Sequence, residues 1–173
     1  NRLSGGGGND TVIGGAQRDL LGGGLGNDFL DGGDSRDIMI GQEGNDTLKG
    51  SGGNDFMVGV EGNDYFDGGE GDDNIFDGGG GNGNDTLIGG NGNDSLEGGD
   101  FGNDVLTGGS GSDQFKFGSS DGTPFGSANK DIITDFTVGI DKIVLRKSSF
   151  PDLVSPVDGN LLPEEFAAVS SDS

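Results

Sequence analysis

The chain has no cysteine, no histidine, no tryptophan, four prolines, and only nine lysines and arginines among 173 residues. Without cysteine there is no disulfide to hold a small fold, and no redox clue to compartment. Without histidine, Ser-His and Cys-His catalysis are excluded, as are the usual imidazole zinc sites. Nine basic residues against thirty-one acidic ones, in no cluster, argue against nucleic acid and against anionic lipid. No apolar run approaches the length of a transmembrane segment. With 28% hydrophobic residues and a formal net charge of −22, the composition by itself describes disorder. Too little apolar surface is available to offset chain entropy.

What the chain does have is glycine, 41 residues of it, in strict order. A variant of Gly-Gly-x-Gly-x-Asp-x-U-x, with U apolar, is spelled twelve times in succession. Its aspartates are Asp10, Asp19, Asp28, Asp37, Asp46, Asp55, Asp64, Asp73, Asp85, Asp94, Asp104 and Asp113. Two positions after each stands an apolar residue: Val12, Leu21, Leu30, Met39, Leu48, Met57, Phe66, Ile75, Leu87, Leu96, Leu106 and Phe115. One carboxylate and one core side chain per repeat describe a solenoid. Each repeat divides into a six-residue glycine-rich turn and a three-residue strand, x-U-x, whose central residue points inward. Two repeats make one coil, so the expected fold is all-β, with two short-stranded parallel sheets back to back. Six coils at ~4.8 Å each give a rod about 29 Å long. Its core is one side chain thick, too thin to hold by itself. The acidic turns require positive charge, so the chain is expected to be disordered without a cation and folded with one.

These residues resemble the RTX (repeats-in-toxin) hemolysin-type calcium-binding nonapeptide-repeat family, whose fold is a parallel β-roll. The resemblance covers residues 1–116 and extends beyond them. It implies that each ion lies between the turn of one repeat and the turn two repeats later. The twelve aspartates would be side-chain ligands, with turn carbonyls completing the shell, those of Gly6, Gly8, Gly24, Gly26, Gly69, Gly71, Gly81, Gly83, Gly90 and Gly92 among them. Several Ca2+ ions, up to about ten, follow from six turns on each edge, and their charge of roughly +20 would nearly cancel that of the chain.

Some repeats depart from the pattern. Gln17-Arg18 and Ser35-Arg36 stand where Gly-Asn is usual. Their guanidinium groups either approach Asp19 and Asp37, weakening or replacing one calcium, or point outward beside ordinary sites. Gln42, Ser51 and Val60 replace the second glycine and are expected to distort their turns. Three extra residues, Asp77-Gly78-Gly79, bulge one turn, and the eleventh repeat carries one extra residue.

Outward positions of the even-numbered repeats form an apolar face: Leu20, Ile38, Ile40, Phe56, Val58 and Phe76. Such a stripe calls for a cover, either the segment after residue 117 or another subunit. Residues 117–150 lose the nine-residue rhythm. A polar loop, Ser119 to Asn129, precedes two expected strands, Asp131–Val138 and Ile140–Leu145. The wording Asp-x-Ile-x-Asp-Phe-x-x-Gly-x-Asp-x-Ile-x-Leu resembles the flank that closes many RTX β-rolls. Asp131, Asp135 and Asp141 suit turn and surface roles better than a further ion. Residues 151–173 form a Pro-containing tail with a short candidate helix near Glu164–Val169. Asn1-Arg2-Leu3-Ser4 reads as the end of an earlier repeat, so a processed product or a piece of something larger is expected.

No catalytic arrangement emerges, and the chain is read as a non-enzyme. The glycine runs lack the βαβ frame of a phosphate loop. The sequons at Asn9, Asn45, Asn84 and Asn93 are by-products of the repeat. No threonine row suits ice binding. The leading expectation is a calcium-dependent structural protein at the cell surface or outside the cell, reached by bacterial type I export. It would form a homo-oligomer or filament through its solenoid ends and apolar face, as a surface-layer, sheath or filament subunit. The alternative is a non-catalytic calcium-binding module of a larger secreted enzyme, toxin or adhesin.

Overall fold

The computed structural model of the protein describes residues 1–78, 83–118 and 130–146. Among the described residues, fifteen strands and no helix make up the fold. In chain order the strands are β1 (Arg2–Gly7), β2 (Thr11–Gly15), β3 (Leu20–Leu25), β4 (Phe29–Gly33), β5 (Ile38–Glu43), β6 (Thr47–Gly52), β7 (Phe56–Glu61) and β8 (Tyr65–Glu70). They continue as β9 (Asn74–Phe76), β10 (Thr86–Asn91), β11 (Ser95–Glu97), β12 (Val105–Ser110), β13 (Gln114–Phe117), β14 (Ile132–Ile133) and β15 (Lys142–Leu145). Odd-numbered strands form one eight-stranded sheet in chain order, and even-numbered strands form a seven-stranded one. Every pairing is parallel, as a chain that always coils in one sense requires.

The register explains the period. Leu3 pairs with Leu21, Leu21 with Met39, Met39 with Met57 and Met57 with Ile75, each two repeats apart. The same apolar slot therefore recurs in every coil, and all twelve U residues are buried in one continuous core between the sheets. Leu3, Phe117 and Ile133 pack against it partly buried. Most strands run five or six residues, longer than the three-residue x-U-x segment, because parallel pairing persists into the first glycines of the turn, as in Gly6 with Gly24.

The expected distortion at Gln42, Ser51 and Val60 does not occur. All three hold positive φ, at 85°, 72° and 110°, in the backbone column that Gly24 and Gly33 occupy in the preceding coil. Stacking overrides the local preference, and Val60, β-branched, is the most unfavourable of the three.

The flank differs from its expected form. Only Ile132–Ile133 and Lys142–Leu145 are strands, whereas residues 134–140 bend and turn. Those two strands continue the roll: Ile133 pairs with Leu106 and Ile143 with Phe115. The Phe136 ring lies 6.1 Å from that of Phe115. The polar loop from Ser119 to Asn129, the tail 151–173 and its candidate helix lie outside the described residues.

Candidate metal centre

Each turn ends on its aspartate, and the strand register stacks these aspartates into two columns, one along each edge of the roll. Asp10, Asp28, Asp46, Asp64, Asp85 and Asp104 share the first edge, and Asp19, Asp37, Asp55, Asp73, Asp94 and Asp113 the second. Within each column the backbone N–H of one aspartate donates to Oδ1 of the aspartate in the next coil, at 2.6–3.0 Å. Eleven of the twelve, Asp19 through Asp113, are buried, and Asp10 is half-buried.

The other carboxylate oxygen is the informative one. On Asp10, Asp19, Asp28, Asp37, Asp46, Asp55, Asp64, Asp73, Asp85, Asp94 and Asp104, Oδ2 is buried without a hydrogen-bond partner. A native fold satisfies such groups, since leaving a charged oxygen buried and unpaired costs several kcal/mol. Row upon row of them fits a hard cation, which takes oxygen ligands only.

Turn glycines bring main-chain oxygens close to these carboxylates: a Cβ on Gly14 would meet both the Gly32 carbonyl oxygen, at 2.5 Å, and Asp19 Oδ2, at 2.7 Å. A Cβ on Gly26, Gly44, Gly92, Gly102 or Gly111 would run into the carbonyl oxygen of Gly8, Gly26, Gly71, Gly83 or Gly92 in the previous coil. Gly24, Gly90 and Gly109 stand in the same relation to the carbonyls of Gly6, Gly69 and Gly90. Only glycine permits this approach, and it brings main-chain oxygens close to the aspartate columns. Of the glycines named from the sequence, Gly81 alone lies outside the described residues.

Burial raises the pKa values of nine of the column carboxylates above their ordinary 3.8, helped by neighbouring carboxylates in most cases, whereas the N-terminal ammonium hydrogen-bonded to Asp19 lowers that one. Asp85 and Asp94 rise to about 6, Asp55 and Asp64 to about 7, and Asp73 and Asp104 to about 8. Neither Arg18 nor Arg36 forms an ion pair with a column aspartate. Both are exposed, and Oδ2 of Asp19 and of Asp37 has no partner, which is the outward-pointing alternative.

Three features escaped the sequence reading. Asp131 and Asp141 are further rungs: their Oδ1 atoms accept the N–H of Asp104 and Asp113, each at 3.0 Å. Both are spelled Asp-x-Ile, the same Asp-x-U signal as in the repeats. Asp135 caps the turn of the preceding coil, accepting the N–H groups of Gly108 and Gly109 at 2.9 and 2.7 Å. Finally, a second ladder runs beside the first. Asn9, Asn27, Asn45, Asn63, Asn84 and Asn103 each accept, through Oδ1, the backbone N–H of the residue stacked in the next coil, at 2.6–3.1 Å.

Among curated proteins no match was found. The family model of the RTX calcium-binding nonapeptide repeat matches residues 1–30, 31–66, 49–82, 79–115 and 99–123, the greater part of the chain. With its parallel roll, stacked aspartates and glycine-lined turns, the chain belongs to the RTX calcium-binding nonapeptide-repeat family.

Proposed function

We propose that this protein is a calcium-dependent extracellular structural protein, a non-catalytic roll that becomes rigid after export. The observation that carries this reading is the row of buried Oδ2 atoms without partners. Bound calcium would supply the positive charge that these oxygens lack. RTX repeats are typical of proteins exported by type I secretion, and among the described residues no helix is long and apolar enough to cross a membrane. Sites of the extracellular class, with affinities of about 10⁻⁴–10⁻³ M, stay unfilled in the cytosol. The chain would therefore leave the cell unfolded, and binding to the folded state alone would pull the equilibrium over outside. Circular dichroism with calcium and then with excess chelator tests this. The sheet signal should vanish in chelator and return with calcium; a spectrum indifferent to chelator would refute the reading.

Self-assembly is the finer part of the proposal. Leu20, Ile38 and Phe56 stack in one outer column of the eight-stranded sheet, and Ile40, Val58 and Phe76 in the next. The Phe56 and Phe76 rings meet edge-on at 5.5 Å. A second copy seated on this apolar band would bury what the columns leave open. Sedimentation in calcium should find oligomers that Phe56→Asp abolishes without loss of calcium binding. The alternative, a module of a larger secreted enzyme, toxin or adhesin, is favoured by one fact: five of these side chains already half-bury one another, and Val58 is buried. A wild-type chain that stays monomeric at high concentration in calcium would decide for the module.

A further inference from the structure

One position breaks the repeat in a way that its neighbours make chemical. Two residues after each core side chain, at the start of the turn, stands a glycine: Gly5 after Leu3, Gly14 after Val12, and so on to Gly108 after Leu106. A Cβ at this slot would press on Oδ2 of the ladder aspartate, at 2.7 Å for Gly5 and Gly32 and 2.5 Å for Gly50. The slot therefore looks straight onto the oxygens that lack partners. After Ile75 the slot holds Asp77 instead, at the start of the turn that carries three extra residues before Asp85.

Asp77 is completely buried, and its Oδ2 has no partner. Its Oδ1 accepts one long bond, from the Val60 N–H at 3.3 Å. Carboxylate oxygens of Asp64, Asp77 and Asp85 all lie within 4.8 Å of one another. Three oxygens so spaced lie at most about 2.8 Å from a common centre, near the ~2.3–2.6 Å of calcium–oxygen bonds, so a small contraction lets one ion touch all three. The aspartate in the corresponding slot of the flank behaves differently: both oxygens of Asp135 are taken by backbone N–H groups. An aspartate in this slot can thus have both oxygens paired, whereas Oδ2 of Asp77 has no partner.

We propose that Asp64, Asp77 and Asp85 form a three-carboxylate cation site, distinct from the two-carboxylate rungs, that takes the first calcium ion. The inference rests on the reading of the roll as calcium-binding. Extra ligand charge in a buried, rigid site tightens calcium binding and favours a trivalent ion of similar size still more.

The chain carries its own reporter. Tyr65 is its single tyrosine, tryptophan is absent, and Tyr65 follows Asp64 and pairs in register with Thr86, which follows Asp85. Tyr65 pairs with Thr47 on its other side, so terbium emission sensitised through it reports the two gaps that flank Asp64, and the Asp77 variants single out the one toward Asp85. In the full chain the first equivalent of terbium should bring most of that emission, and calcium should compete for it. Asp77→Gly, which restores the repeat, and Asp77→Asn, which keeps the volume, should each weaken this tightest class at least about ten-fold. Sheet signal at saturating calcium should survive in both. First-equivalent emission and calcium competition unchanged in both variants, or tightened, overturn the inference while leaving the calcium-bound roll intact. A wild-type chain that binds no calcium overturns the roll reading and this inference together.

Discussion

The two edges of the roll share one backbone geometry and differ in what stands beside each aspartate. On the first edge an asparagine precedes Asp10, Asp28, Asp46, Asp64, Asp85 and Asp104, and its amide ladder is unbroken. On the second edge the same slot reads Arg18, Arg36, Asn54, Asp72, Asn93 and Ser112, and the ladder begins only where Asp72 donates to Asn54. The aspartate bonds are equally regular on both edges. Register thus depends on the core and the aspartates, and the residue beside them is free to adjust local charge. Arg36 does so, pulling against the burial that raises the pKa of Asp55.

Removing what the edges share should have the largest effect. Leu48 is fully buried in the common core, and Leu48→Ala should cost about 2–5 kcal/mol. Calcium midpoints reported from the two edges should move together; a shift confined to one edge would show that the edges fold independently. Next comes a pair that separates them. Asp46→Asn and Asp55→Asn each keep an Oδ1 acceptor for the preceding coil while removing charge. The loss of calcium affinity should be about ten-fold or more for Asp46→Asn and only a few-fold for Asp55→Asn, where Arg36 already offsets part of the charge. Isothermal titration of both variants checks this, and equal losses would erase the distinction.

Proton linkage should ignore the distinction. Asp64, Asp85 and Asp104 on one edge and Asp55, Asp73 and Asp94 on the other all have folded pKa values raised to between about 6 and about 8, through burial first. A raised carboxylate pKa means that the folded state holds protons which the unfolded chain releases near its ordinary 3.8. That contribution is fully present below the unfolded value and is lost as pH climbs through the folded ones. In chelator the chain should therefore be more ordered near pH 4 than at pH 8, and calcium uptake at neutral pH should release protons. Circular dichroism against pH in chelator would expose the opposite trend if it existed. The smallest effect belongs to Val60, on the first edge. Val60→Gly relieves a positive φ at a β-branched residue and should stabilise the calcium-bound roll by about 1 kcal/mol, read as a higher midpoint in thermal melts.

The core and the twelve principal rungs were legible because each has an unambiguous chemical spelling at constant spacing. Leu21 and Asp19 are both buried, but Leu21 lies in the apolar core and Asp19 in the hydrogen-bonded edge column, so neither can take the other's place. Asp131 and Asp141 were harder to read. The long segment before Lys130 destroys the period, and only the three-dimensional register returns the chain to the same column. The asparagine ladder was hidden for a different reason. Asn27 or Asn45 beside an aspartate looks like ordinary turn chemistry, and nothing local says that its amide reaches a residue eighteen positions away. Asp77 read as part of a bulge, since a sequence shows an insertion but not that the inserted turn aims a carboxylate at two others.

The two ladders also run in opposite senses. Aspartate oxygens accept from the coil before them, and asparagine oxygens accept from the coil after. Tension along the rod would thus load both sets at once, and peeling a coil from either end of the first edge would break one bond of each kind. On the first edge, then, the two ladders resist a pull from either end alike.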